Sequence, residues 1–327
     1  MEDIKVSVCC LVYNHEKYLR QCLDSLLMQE TNFKYEILIH DDASTDGSAD
    51  IIREYESKFP DIIKPIYQTE NQYSKQVQIS WTYQYPRARG KYLAWCEGDD
   101  FWSDKKKLQK QYDIMEKNSD CSFCVHTVRY VKENGEITEK VKPYGENQDC
   151  KKGSIQMLKT IFYQNVCPYQ TSSFFARREY VTEEIEKIPE FISKCRVGDV
   201  PLIMLFSSKG SVYYIAEEMS CYRMFSMASW SRKFERDQNK KIAHLENLKD
   251  CIKNFDEYTS KRYSEMINYK IKEIEFNILR LKELYREMIS SRYKEQYKKL
   301  NAKEKIYYKV FGYFPNLYKR YKEYKNR

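Results

Sequence analysis

Trp95-Cys96-Glu97-Gly98-Asp99-Asp100-Phe101-Trp102 sets three carboxylates within four residues, around one glycine, directly after the apolar run Tyr92-Leu93-Ala94-Trp95. A buried strand that runs out into clustered like charges is costly unless a cation or a ligand neutralises them. All-oxygen donors suit Mg²⁺ or Mn²⁺, hard ions that keep waters and bind phosphate oxygens as well. The stretch therefore reads as a metal-bridged phosphate site. Taken alone, the same residues also describe a solvated acidic turn, so the surrounding chain has to discriminate.

Upstream, residues 6–12 read as a buried strand and 15–28 as a helix, with Leu19, Cys22, Leu23, Leu26 and Leu27 on one face. Residues 35–40 form a second strand ending at Asp41-Asp42, and Thr45, Asp46 and Ser48 offer caps for a helix to about residue 58. A strand at 62–67, a helical stretch at 77–85 and a fourth strand at 91–96 complete the alternation. Strands alternating with helices imply an α/β fold with a mainly parallel sheet, and such sheets bind ligands beyond the carboxyl ends of their strands. Tyr13-Asn14, Asp41-Asp42 and Glu97 to Asp100 all follow strand ends, so they are expected on one rim. That convergence favours the site over the turn.

Downstream the pattern is more mixed. A helix over 104–118 precedes a hairpin, 122–131 with 136–141, around Asn134-Gly135. A helix at 153–163 and strands at 171–177, 212–215 and 219–223 follow. From about Phe234 the chain reads as helical. Residues 242–255 and 263–289 carry apolar residues at three and four spacing, and 301–327 is rich in Lys and Tyr, broken at Gly312 and Pro315.

The 327 residues are 42% hydrophobic and 32% charged, a globular rather than disordered balance. No run of eighteen apolar residues predicts a membrane span, and Met1 to Lys5 has no basic leader region. Eleven cysteines are scattered, and the one CxxC pair, Cys121 and Cys124, would point to opposite faces of a strand. Free thiols in a reducing cytoplasm fit better than zinc. The net charge of +8 is uneven: residues 236–327 carry +11 and the remainder −3. Residues 290–327 hold 12 Lys and Arg against 3 acidic residues, interleaved with Tyr and Phe. Such a segment suits an anionic membrane surface or a solvated helical tail. No recognition motif accompanies it, so nucleic acid is not an expected partner.

Four residue sets, in order and spacing, resemble the family 2 glycosyltransferases, which have the GT-A fold. Val6-Ser7-Val8-Cys9-Cys10-Leu11-Val12-Tyr13-Asn14, with Tyr18-Leu19 and Ser25 to Gln29, is similar to that family's first strand and helix. Asp41-Asp42-Ala43-Ser44-Thr45-Asp46-Gly47-Ser48 resembles its second-strand signature, and Glu97-Gly98-Asp99-Asp100 its DxD-type metal motif. Arg196-Val197-Gly198-Asp199 lies where the family carries its catalytic aspartate. The likeness covers residues 5–231. It implies a GT-A domain over 1–233, with a nucleotide half at 1–118 and an acceptor half at 119–233, and a helical extension over 234–327.

The resemblance implies an inverting, metal-dependent transfer from a UDP-sugar to a hydroxyl of a glycan or lipid-linked acceptor. It implies Mn²⁺ or Mg²⁺ on Asp99 and Asp100, and donor binding by Leu11, Tyr13, Asp42, Lys75, Glu97 and Asp99. A carboxylate at Asp42 would accept the imide N–H of uracil, with Tyr13 packed on the base. Ser44, Thr45 and Asp46 are expected to cap a helix. Asp199 is implied as the general base, and it also suits a helix N-cap. Trp102, Arg196, Arg223 and Trp230 are candidates for acceptor contacts or a closing loop. Two departures stand out: Asn71-Gln72-Tyr73-Ser74-Lys75 replaces the family's Asn-x-Gly stretch, and Tyr222 to Ser231 lacks the usual histidine. The latter leaves room for a non-catalytic glycan- or membrane-binding descendant. A sugar-nucleotide pyrophosphorylase would need a Gly-rich phosphate loop, which Val12-Tyr13-Asn14-His15 does not offer. The implied location is the cytoplasm, on the inner face of the cell membrane.

Overall fold

The computed structural model describes residues 3–164, 167–224 and 237–325. It divides into two compact units, Met1–Ser193 with Val197–Lys233, and Lys194–Arg196 with Phe234–Arg327. The first unit carries the strands β1 (Ile4–Val12), β2 (Lys34–Asp41), β3 (Ile63–Tyr67), β4 (Tyr92–Trp95), β5 (Phe101–Trp102), β6 (Cys121–Val131), β7 (Ile137–Lys142), β8 (Cys150–Lys152), β9 (Phe175–Arg177) and β10 (Ser211–Arg223). Its helices are α1 (Glu16–Leu27), α2 (Ser48–Lys58), α3 (Lys107–Lys117), α4 (Ser154–Lys159), α5 (Glu179–Thr182), α6 (Glu190–Ser193) and α7 (Asp199–Lys209).

All ten strands join one mixed sheet in the order β3-β2-β1-β4-β9-β6-β10-β5, with β7 on β6 and β8 on β10. The β3-β2-β1-β4 side is parallel throughout. Val6, Val8, Cys10 and Val12 of β1 are buried among α1 and α2 residues, because helices cover a parallel sheet on both faces. Helix α1 packs Leu19, Cys22, Leu23 and Leu26, the i, i+3, i+4, i+7 stripe, against that core. The parallel strands share one direction, so the carboxyl ends of β1, β2 and β4 lie along one rim.

Several elements differ from the sequence reading. The stretch 77–85 is a π-turn, Ser80–Gln84, running into a 3-10 turn, Tyr85–Arg87. Buried Gln84 there spends its amide on the Cys10 and Leu38 carbonyls of β1 and β2. Only Phe175–Arg177 of the 171–177 stretch is strand, because Thr171–Ser173 coils into a 3-10 turn first. The two short strands expected at 212–223 are one, β10, with a slip in register between Ile215 and Glu218.

The second unit is helical: α8 (Gln238–Tyr258), α9 (Ser264–Leu281), α10 (Tyr285–Met288), α11 (Lys294–Lys298), α12 (Ala302–Tyr313) and α13 (Pro315–Lys325). The helix expected over 263–289 breaks after Leu281, where Glu283 takes φ 59°. Gly312 does not break α12. It lets the helix approach α10 closely, since a Cβ there would sit 3.2 Å from the Arg286 nitrogen. Tyr285, Tyr308 and their neighbours Tyr307, Phe311 and Tyr318 form a small aromatic core. Among the described residues, no helix is long and apolar enough to cross a membrane.

Candidate active site

Two strand ends, those of β2 and β4, carry acidic groups to the rim on either side of the end of β1. Backbone hydrogen bonds extend β1 beside the acidic turn: Cys96 N–H donates to Cys9 O at 3.1 Å and Gly98 N–H to Leu11 O at 2.9 Å. Leu11 thus serves through its carbonyl. Gly98 is required by close approach, since a Cβ would lie 2.8 Å from His15 Nδ1 and 3.0 Å from Val12 Cγ2. Asp100 N–H returns to Glu97 O at 2.9 Å, closing the turn.

The carboxylates are differently held. Asp100 is buried, and its Oδ1 accepts the Arg223 N–H at 2.9 Å. Asp99 lies 3.8 Å from His15 Nε2. Glu97 is exposed at one edge, yet desolvation within the crowded turn, then the charges of Asp99 and Asp199, pushes its carboxyl up to about 8. Burial, then Asp99 and Glu97, likewise holds the Asp100 carboxyl well above its usual range. Glu97 thus feels Asp199 from an element far along the chain. Asp199 is the first residue of α7. Its Oδ1 accepts the Val200 N–H at 2.8 Å and its Oδ2 the Cys167 thiol at 2.9 Å. It makes no side-chain cap to α7 deeper than Val200.

An ion on these carboxylates fits the chemistry of the donor set: the groups are all oxygen, Asp100 is buried, and like charge crowds Glu97, Asp99 and Asp100 together, a penalty a cation relieves. Among the described residues, no three His, Cys, Asp or Glu side chains are gathered closely enough to hold a metal ion by themselves. Coordination would be completed by phosphate and water, as is usual for Mg²⁺.

On the nucleotide side, Tyr13 is 39% exposed on the rim. Asp42 is buried, and both of its oxygens are engaged: Oδ1 accepts Gln72 N–H at 2.7 Å and Oδ2 accepts Tyr73 N–H at 3.0 Å. His40 lies beneath it, 3.7 Å from Asp42 Oδ1, and burial lowers its basicity. Ser44 and Thr45 do not cap α2; with Asp46, whose Oδ1 accepts the Ser48 N–H at 3.0 Å, they tie the loop after β1 instead. Asn14 N–H donates to Ser44 Oγ at 2.9 Å, Thr45 N–H to Asn14 Oδ1 at 2.8 Å, and Glu16 N–H to Asp46 Oδ2 at 3.1 Å. His15 N–H reaches Ser48 Oγ at 2.9 Å, and Gly47 N–H reaches Glu16 Oε2 at 3.0 Å. These five bonds lock the loop after β1 to the loop after β2. The residue at the N-cap of α2 is Gly47, without a side-chain cap.

Four other sequence candidates fall elsewhere. Lys75 is exposed and paired with Glu70. Trp102 is a core residue at 1% exposure, because β5 pairs with β10 and turns the indole inward, over Lys107. Arg196 is exposed in the second unit, and its N–H donates to Asn247 Oδ1 at 2.9 Å. Arg223 is not a loop residue. It ends β10 at 3% exposure and braces the acidic turn from behind, Nε to Asp99 O at 3.0 Å. Trp230 lies outside the described residues. Sequence reasoning missed His15, His40 and Cys167. His15 follows the Tyr13-Asn14 strand end directly, a position that flags it; the other two give no sequence signal.

The Glycosyl transferase family 2 profile matches residues 7–186. An uncharacterized protein of Mycobacterium tuberculosis is 31% identical over 225 residues, 69% of this chain and 60% of its own length, so the chain spans about 60% of that relative. A putative teichuronic acid biosynthesis glycosyltransferase, TuaG of Bacillus subtilis, is 36% identical over 118 residues, 36% of this chain and 44% of its own. Staphylococcus aureus TarS 1-349 in complex with UDP superposes with a TM-score of 0.57 at 17% identity, over 92% of this chain and 77% of TarS. The mannosyltransferase PcManGT of Pyrobaculum calidifontis, in complex with GDP-Man and Mn²⁺, gives 0.54 at 12% identity, over 100% of this chain and 85% of its own. With a mixed sheet of this kind, an acidic turn after its fourth strand and a profile match over more than half its length, the chain belongs to glycosyl transferase family 2.

Proposed function

We propose that the chain is a metal-dependent, inverting glycosyltransferase that moves a hexosyl or N-acetylhexosaminyl group from a UDP-sugar to a hydroxyl of a glycan or lipid-linked glycan. The reading is carried by one observation: Asp99 and Asp100 are buried in one turn, and Glu97, exposed beside them, lies within electrostatic reach of Asp199. The UDP complex of TarS and the Mn²⁺ complex of PcManGT support the donor class and the cation. The name of TuaG supports a role in surface polysaccharide, lipooligosaccharide or glycoprotein glycan synthesis.

Asp99 is the better metal ligand of the pair, since Asp100 Oδ1 is tied to the Arg223 backbone. The cation, when bound, holds the pyrophosphate and stabilises the leaving diphosphate. Glu97 faces the ribose or the sugar. Tyr13 stacks on the base. Each Asp42 oxygen keeps a second lone pair beyond its loop contact, available to the uracil imide N–H. Asp199 takes the proton of the acceptor hydroxyl as that oxygen attacks the anomeric carbon. The enzyme works in the cytoplasm. Its C-terminal extension rests on an anionic membrane surface, a reading supported by the basic excess of residues 290–327 and the exposed Phe314, Leu317 and Tyr324.

Thermal unfolding with Mn²⁺ and a panel of UDP-sugars, together with UDP release, tests this. The Glu97 carboxyl, raised to about 8, holds at pH 6 a proton that a cation must displace, so Mn²⁺ is expected to raise the unfolding temperature more at pH 8.5 than at pH 6. Asp99→Asn should lose that shift, and Asp199→Asn should keep it while losing turnover by about 100-fold or more. Normal nucleotide binding with no turnover of any sugar would favour the non-catalytic descendant.

A further inference from the structure

The Asp199 carboxylate is held from two sides. Val200 N–H, 2.8 Å from Oδ1, ties it to the first turn of α7. By itself that contact leaves the carboxylate free to pivot about Oδ1. The second tether comes from an element with no other part in the site: the Cys167 thiol, 2.9 Å from Oδ2. Cys167 Sγ also lies 3.2 Å from the Tyr169 carbonyl, and Lys142 Nζ stands 3.7 Å from the sulfur. One S–H serves one strong acceptor, and a charged carboxylate is a better one than a neutral carbonyl.

We infer that Cys167 is a positioning residue for the transfer: its thiol pins Oδ2 of Asp199, fixing the carboxylate so that a remaining lone pair faces the acceptor hydroxyl. The inference rests on the reading of Asp199 as general base. A thiol suits the task because it is a weak donor. A stronger donor would stabilise the ionised carboxylate further and make it a poorer base. Burial and the Asp199 charge also hold the thiol well above its usual range, so the proton stays on sulfur across neutral pH. The charged groups facing this pair are Glu97 across the site and Lys142 behind the sulfur. Neither takes the place of the S–H donor.

Two measurements on the full chain decide the matter. The first needs no substrate. The S–H stretching band that disappears in Cys167→Ala should lie at lower frequency than those of the other thiols, and should move up in Asp199→Asn. A Cys167 band among the unbonded thiols, unmoved by Asp199→Asn, would overturn the inference. The second is kinetic, with Mn²⁺ and whichever UDP-sugar the screen finds turned over fastest. Cys167→Ala should lower kcat about 10-fold, leaving the donor KM within about 2-fold. Cys167→Ser, which keeps a donor but a stronger one, should recover part of the loss, with kcat between those of Cys167→Ala and the wild type. Wild-type kcat in Cys167→Ala, beside a dead Asp199→Asn, would sink the positioning role and leave the base standing. Full turnover in Asp199→Asn would remove the base, and the positioning role with it.

Discussion

Arg223 shows how one side chain at a strand end shapes a site it does not enter. Its guanidinium donates to Asp99 O at 3.0 Å, to Glu133 O at 3.0 Å and to Gln21 Oε1 at 2.7 Å, and lies 4.6 Å from the Tyr18 ring centroid. Three elements therefore meet on one planar fork. Lysine carries the same charge but presents no fork. Arg223→Lys is expected to lose about 2–3 kcal/mol of stability, since buried carbonyls are left without donors. It should also weaken the Mn²⁺-induced thermal shift. An unchanged urea midpoint would show that the brace is dispensable. The acidic residues themselves were legible in the sequence, because carboxylates crowded at the end of an apolar run are costly until a cation or ligand neutralises them. The role of Arg223 was not, since a lone arginine near a strand end looks the same whether it faces solvent or the underside of a turn.

At the level of elements, α3 holds a buried lysine behind the acidic turn. Lys107 Nζ donates to Gln111 Oε1 at 2.7 Å and stands 4.1 Å from the Trp102 ring centroid. Burial pushes its ammonium down to about 7. The unfolded chain binds this proton up to the ordinary lysine range, so between about pH 7 and 10 the unfolded state holds more protons and stability rises with pH. Below pH 7 the full cost of the buried charge is present. Lys107→Met is expected to unfold at a higher temperature than the parent at pH 6, by an amount that shrinks toward pH 10. Parallel melting curves at all pH values would refute this. The βα alternation of 6–96 was readable because period and length agree there. The breaks at Glu283 and around Ser80 were not: one depends on a single positive φ, the other on where a buried glutamine finds carbonyls.

For the molecule as a whole, the charge imbalance is the property most open to test. The second unit packs Tyr285, Tyr308 and Phe311 inward while Ile306, Tyr313, Phe314 and Leu317 stay exposed in a segment of net +9. Near an anionic surface each basic residue contributes about 1 kcal/mol, and exposed aromatics add interfacial burial. The full chain is expected to float with phosphatidylglycerol vesicles and not with phosphatidylcholine ones. Phe314→Ser with Leu317→Ser should reduce that binding while UDP release persists. Equal flotation with both lipids, or with neither, would dismiss the membrane surface as partner. The composition alone exposed this asymmetry. Which tyrosines point outward was unreadable, because Tyr307 and Tyr313 look alike in sequence and differ only in what packs beside them.

The five bonds that lock the loop after β1 to the loop after β2 have a consequence for how this family varies. Ser44, Thr45, Asp46 and Ser48 hold Asn14, His15 and Glu16 in place, so they fix the rim by contacts between its own loops. Substitution tolerance across 41–48 would therefore trace two kinds of necessity at once, recognition and carpentry. A mutational map by itself would mistake the second for the first. Paired changes that swap a donor for an acceptor on both loops would separate them, because a carpentry contact survives exchange and a recognition contact does not.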